Sequence, residues 1–174
     1  MTIAIIIIAI IALPFIIALF LPKNYSVARS VVINKPVPIV FDYVKLVSNQ
    51  LMYNKFAMKD PNQKIVTTGT DGTVGFIQSW NGNNQAGEGE QEITGVIENE
   101  RISIEIRFVR PFKSTAHVFI VTEPVTEHST KMTWGMSGHS KYPLNLMSAI
   151  MTGPLGNDIN SSLNLLKRIL EEKM

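Results

Sequence analysis

The pattern of hydrophobic and polar positions begins with a continuous apolar run from Ile3 to Leu21. Every residue of the run is Ile, Ala, Leu or Phe except Pro14. A helix rises 1.5 Å per residue, so this run would span about 28 Å, close to the hydrocarbon thickness of a bilayer. No Lys or Arg precedes the run and no small-residue cleavage site follows it. These features favour a retained transmembrane anchor over residues 1–22, with a cleaved signal peptide as the alternative.

This apolar run predicts a single-pass membrane protein that contacts the membrane through Ile3 to Leu21. Basic residues follow the run at Lys23, Arg29 and Lys35, whereas only the α-amino group precedes it. The positive-inside bias therefore places the remainder of the chain on the cytoplasmic side.

After the anchor the pattern changes to short stretches with a period of two. A β-branched stretch at 29–34 predicts a strand, and Pro36 and Pro38 then introduce a short helix that extends to about Val47. Six further strands are predicted at 65–68, 73–80, 87–97, 101–108, 115–122 and 131–138. Because these strands recur about every ten residues with turn residues between them, the pattern favours an antiparallel meander.

The helical period returns near the C-terminus. The apolar residues that share one helical face are Leu155, Ile159, Leu163, Leu166 and Leu170. A long helix that begins near Pro154 would need the sheet to cover this face. The preceding segment, 142–151, is also apolar and could form a short helix that closes a pocket or touches the membrane, or it could pack as a core segment.

Composition narrows the possible functions. The chain has 174 residues and a net charge of +2. Because it has no Cys, disulfide bonds give no evidence about the cellular compartment. About 150 residues remain after the anchor, enough for one domain, 25–174, with a core of its own. The net charge is too small and too dispersed to indicate a nucleic-acid surface.

Catalytic chemistry has little support in the sequence. His117, His128 and His139 lack metal-ligand spacing, and no nucleophile elbow or metalloprotease motif is present. We therefore predict no metal and no cofactor, and the pattern names no catalytic residue. Glu105 and Arg107 alternate with isoleucines, so they are expected to face solvent if the isoleucines face inward.

Four local motifs point to a known superfamily. They are RSVVINKP at 29–36 with VFDYV at 40–44, GEGE at 87–90, TWGMSG at 133–138 and LNLLKR at 163–168. Together they resemble the SRPBCC or START-like (Bet v 1-like) superfamily, in its polyketide cyclase/dehydrase-type branch. The resemblance implies an α+β helix-grip fold, with a curved antiparallel sheet of about six to seven strands around a long C-terminal helix. One departure is 51–56, which reads LMYNKF where members often carry a Trp-rich stretch.

A helix that grips a curved sheet often encloses a cavity. We expect the cavity lining to include Trp80, Ile104, Ile106, Phe108, Met132, Trp134, Met136, Leu155, Ile159 and Leu163. The main hypothesis is a membrane-anchored START-like domain that binds a hydrophobic small molecule, such as a lipid, an isoprenoid or a polyketide-like compound, under the C-terminal helix. One alternative is a cyclase or dehydrase that uses acid–base residues in that cavity. Another is a non-enzymatic membrane-tethered interaction or stress factor.

Overall fold

The computed structural model describes residues 2–173, and the side chains of residues 2, 4–9 and 173 lie outside this description. The helices are α1 (Thr2–Phe20), α2 (Val37–Val44), α3 (Gln50–Tyr53) and α4 (Asn145–Lys173). The strands are β1 (Asn24–Ile33), β2 (Lys64–Thr68), β3 (Ile77–Asn81), β4 (Glu88–Ile97), β5 (Arg101–Arg110), β6 (Ser114–Thr126) and β7 (Ser129–His139).

The seven strands form one antiparallel sheet in the order β1-β7-β6-β5-β4-β3-β2. Strands β2 to β7 pair with their neighbours in the sequence, as the predicted meander requires, and β1 pairs with β7. Two β-bulges interrupt the pairing of β4 with β5, one between Glu88 and Gly89 and one between Ile93 and Gly95. Because bulges bend a strand and increase its twist, they help the sheet to curve. The predicted α+β helix-grip fold is confirmed.

Helix α4 covers the concave face of this sheet. Its residues Ile159, Leu163, Leu166 and Leu170 are buried, as the sequence pattern predicted. They pack with the buried residues of the sheet and of α2, among them Ile33, Val40, Phe41, Ile102 and Ile104. The curved sheet and α4 therefore share a single apolar core.

The start of α4 differs from the prediction. The helix begins at Asn145 and runs through Pro154 to Lys173, so the apolar segment 142–151 supplies its first turns. Proline inside a helix removes one backbone hydrogen bond, but its ring remains compatible with helical φ. The first residue of the helix, Asn145, donates to the backbone carbonyls of Ala18 and Leu21, so the start of α4 is joined to the end of α1.

The apolar run forms helix α1, which includes Pro14. At its end Ala18 is buried, and the side-chain amide of Asn145 donates to the carbonyl oxygens of Ala18 at 2.6 Å and Leu21 at 3.0 Å. Within the part of the chain that the structure describes, no helix combines the length and hydropathy of a membrane span. The predicted transmembrane anchor at 1–22 is therefore not confirmed, and its side chains 4–9 lie outside the described residues.

Candidate functional site

A cavity of about 280 Å³ lies between the concave face of the sheet and α4. Its wall combines residues of β2 to β7 with residues of α3 and α4, and the loop 85–87 also contributes to it. The site therefore depends on residues that are more than 100 positions apart in the sequence, such as Gln50 and Ile159.

The apolar part of the wall includes seven of the ten residues expected from the sequence. They are Trp80, Ile106, Phe108, Trp134, Met136, Leu155 and Ile159. The other three, Ile104, Met132 and Leu163, are fully buried core residues that do not line the cavity. The alternation identified the inward face of each strand correctly, but it could not tell which inward positions meet other side chains and which meet empty space.

Trp80 reaches its place because a glycine lies beside it. Trp80 in β3 is directly opposite Gly89 in β4, where a Cβ atom would come within 2.7 Å of the indole ring. The indole also packs edge-on against Phe108, with ring centroids 5.9 Å apart. The glycine of the GEGE motif therefore provides the space in which this aromatic pair forms one end of the wall.

The polar part of the wall consists mainly of carboxamides, which we did not predict. Gln50, Asn54, Gln78 and Gln91 are all buried, and all four line the cavity. Gln78 could have been found from the sequence, because it shares the inward face of its strand with Trp80 two positions later. Gln91 shares its face with Ile93 in the same way.

The ionisable groups that line the cavity are Lys59 and Arg110, and both are partly exposed and already paired. The Lys59 ammonium lies 3.6 Å from the Asp158 carboxylate, and the Arg110 guanidinium lies 2.8 Å from the Glu88 carboxylate. No carboxylate or imidazole is among the described lining residues. The cavity interior is therefore neutral, with paired charges at its rim.

The outer face of the sheet carries the charged residues of β4 and β5. Arg107 bonds three carboxylates, those of Glu90 at 2.6 Å, Glu92 at 2.8 Å and Glu105 at 2.7 Å. These three partners raise the pKa of Arg107, so the guanidinium stays charged. A more open depression of about 330 Å³ lies on this face. We assign the site to the concave cavity because apolar side chains and buried amides line it, whereas charged residues such as Lys64, Glu90 and Arg107 line the more open outer depression.

The histidines and possible metal ligands lie outside the cavity. His117 is mostly exposed, with Nδ1 3.9 Å from the Glu105 carboxylate on the outer face. Across the described residues, no group of three or more His, Asp or Glu side chains is arranged to hold a metal ion.

Comparison with known proteins supports the fold. No family model matches the chain, and no curated protein matches it. Norcoclaurine synthase from Thalictrum flavum, solved with dopamine and hydroxybenzaldehyde, has a similar structure with a TM-score of 0.65 and 14% identity, covering 91% of this chain and 93% of that one.

Two bacterial proteins solved by structural genomics are also similar. The protein from Mesorhizobium loti has a TM-score of 0.64 and 15% identity, covering 86% of this chain and 99% of its own. The protein from Nitrosospira multiformis has a TM-score of 0.60 and 20% identity, covering 86% and 98%. At these identities the similarity shows the fold alone, and the chain adopts the Bet v 1-like helix-grip fold.

Proposed function

We propose that this protein binds a hydrophobic small molecule, of the lipid, isoprenoid or polyketide-like class, in the cavity under α4. The observation that carries the proposal is the unfilled space of about 280 Å³ beside an otherwise closely packed core. Protein interiors contain few voids larger than a water molecule. Ligand pockets, in contrast, are concave and mostly apolar with a few placed polar groups, which matches this wall.

The composition of the wall favours binding over proton transfer. General acid–base catalysis needs a titratable group within hydrogen-bond reach of the reacting atom. Here Lys59 and Arg110 are the ionisable groups of the described wall, and each is held by a carboxylate. Norcoclaurine synthase has a similar fold, but fold alone does not carry an activity to this chain.

We further propose that the protein works at a membrane, attached through Ile3 to Leu21. The support is the surface of α1, where Ile10, Leu13, Ile16 and Leu19 are all exposed. Monomeric soluble proteins rarely expose a continuous apolar surface of this kind. A lipid bilayer would cover it and would also supply hydrophobic ligands to the nearby cavity.

Native mass spectrometry of the full chain, incubated with a lipid extract and released from detergent, tests the binding proposal. The wild type is expected to retain a small-molecule adduct. Leu155→Trp should lose the adduct, because Leu155 lines the cavity and the larger indole would fill it. Asn160→Trp is the matched control, since Asn160 is exposed on the same helix. A wild type that captures nothing, or an adduct that survives in Leu155→Trp, would contradict the proposal.

A further inference from the structure

Two buried glutamines form a hydrogen-bonded pair across the sheet. Gln78 in β3 and Gln91 in β4 are directly opposite each other in the strand register. The Gln91 amide nitrogen donates to the Gln78 side-chain oxygen at 3.0 Å. Only 4% of Gln78 and 8% of Gln91 remain exposed, and both residues line the cavity. The pair therefore places amide groups in a wall that is otherwise largely apolar.

A second pair of carboxamides, on α3 and just after it, also lines the cavity. The Asn54 amide nitrogen donates to the Gln50 side-chain oxygen at 3.1 Å, and the Asn54 oxygen accepts from the Phe56 backbone N–H at 2.9 Å. Gln50 is as deeply buried as Gln78. Both ends of the Asn54 carboxamide are therefore hydrogen-bonded, and its nitrogen fixes the side-chain oxygen of Gln50.

These amides keep hydrogen-bonding capacity that the described residues do not use. A carboxamide offers two N–H donors and an oxygen with two lone pairs. The Gln78 amide nitrogen is buried and has no partner. The Gln50 amide nitrogen donates to no described residue, and the Gln91 side-chain oxygen accepts from none. A pure hydrocarbon in the cavity would bury these amide groups without a hydrogen-bond partner, and burying an unpaired polar group is unfavourable.

We infer that the ligand is a neutral amphiphile that carries at least one carbonyl or hydroxyl oxygen, and that the Gln78–Gln91 pair recognises that oxygen, while the free amide nitrogen of Gln50 offers a further donor to the ligand. This inference rests on the proposed function and specifies the ligand class of the same site. A charged headgroup inside the cavity has no support, because no acidic residue lines the described wall and both basic residues are already paired. The apolar wall holds the body of the ligand, while the unused amide donors hold its oxygen.

Butyrophenone and butylbenzene test this inference, since they differ only in a carbonyl that replaces a methylene group. Binding to the full chain in detergent is followed on the methyl signal of Met136, which lines the cavity, by NMR of methyl-labelled methionine. The variant Gln78→Leu/Gln91→Leu removes both members of the pair and so strands neither partner. Partitioning of the probes into detergent is the same for both proteins and cancels when their preferences are compared.

We expect the preference for butyrophenone over butylbenzene to be about tenfold larger in the wild type than in the double variant. Phe108→Leu is the control, because it should weaken both probes equally and leave the preference unchanged. In the wild type alone, the carbonyl carbon signal of bound, labelled butyrophenone should lie downfield of its position in an alkane solvent, because an alkane donates no hydrogen bond and the amide does. This second measurement does not depend on how the variants fold.

Equal preference in the wild type and the double variant, or a bound carbonyl signal at its position in the alkane solvent, would overturn this inference and leave the proposed function standing. Failure of both probes to shift the Met136 signal would overturn the proposed function and the inference with it.

Discussion

At the scale of single residues, Tyr53 is the clearest buried polar group that lies behind the cavity wall. It is fully buried, with its ring 6.2 Å from that of Tyr43 and 6.1 Å from that of Trp134. Neither the Tyr53 hydroxyl nor the Trp134 indole nitrogen has a hydrogen-bond partner among the described residues. Burial raises the pKa of Tyr53 far above its ordinary value, and the neighbouring Tyr43 adds to the shift.

Replacing Tyr53 by phenylalanine should stabilise the protein. A buried hydroxyl without a partner costs roughly 1–3 kcal/mol, so Tyr53→Phe is expected to raise the free energy of unfolding by about 1 kcal/mol. Thermal unfolding of the full chain, followed by circular dichroism in one detergent, measures this change. Tyr43→Phe serves as the control, because Tyr43 is only partly buried and should change little. A destabilised Tyr53→Phe would show that the hydroxyl has a partner.

The same substitution should change how stability depends on alkaline pH. Tyrosines of the unfolded chain ionise near pH ~10, whereas folded Tyr53 keeps its proton to higher pH. The folded state therefore binds more protons than the unfolded state, and the free energy of unfolding falls as pH rises above about 10. Because phenylalanine cannot ionise, the advantage of Tyr53→Phe should grow from neutral pH to alkaline pH. An advantage that stays constant would contradict the assignment.

At the scale of elements, Asn145 joins the end of α1 to the beginning of α4. The last carbonyls of a helix lack intrahelical donors, and the Asn145 amide supplies donors to Ala18 and Leu21. Asn145 is itself buried. This contact ties the first turn of α4 to the end of α1, a connection between distant segments that the helical pattern alone could not show.

Asn145→Ala should loosen the junction between the two helices. Loss of both hydrogen bonds is expected to cost about 1–2 kcal/mol and to expose the amides of residues 18–24 to faster hydrogen exchange. Hydrogen-exchange mass spectrometry of the full chain measures this local effect. Asn157→Ala on the exposed face of α4 is the control and should leave exchange unchanged. Unchanged exchange in Asn145→Ala would show that other contacts hold α1.

At the scale of the whole molecule, exposed apolar surface extends from α1 to the start of α4. Phe15, Ile16 and Leu19 are exposed on α1, and Met147 and Ile150 are exposed near the beginning of α4. Elsewhere the surface carries charged side chains, including those of the outer face of the sheet, together with separate exposed apolar residues such as Val74 and Phe112. This asymmetry supports our proposal that one end of the molecule contacts lipid.

Charges placed on α1 should weaken membrane attachment. An acidic residue near the centre of a membrane-inserted helix costs about 2.5–3.5 kcal/mol, so Ile10→Glu/Ile16→Glu should shift the protein from the floating liposome fraction to the soluble fraction. Val125→Glu is the control, because Val125 is equally exposed but lies near the β6–β7 turn. Equal flotation of all three proteins would contradict attachment through α1.

The sequence by itself predicted most of the elements and their inward faces, although it began β3 at residue 73 instead of 77 and placed the start of α4 near Pro154 instead of at Asn145. Period-two alternation identified β5 and β7, and the leucine stripe identified the buried side of α4, because side-chain direction follows from local backbone geometry. The resemblance to the superfamily implied the curved sheet, and the structure confirmed it.

Only the tertiary structure decided which inward positions border empty space. Ile104 and Ile106 share a face of one strand, yet only Ile106 lines the cavity. The tertiary structure also brought Gln50 and Gln78 into the wall of one cavity and joined Asn145 to Ala18 by a hydrogen bond. These arrangements depend on sheet curvature and on contacts between distant segments, and no local pattern of hydrophobic and polar residues contains either.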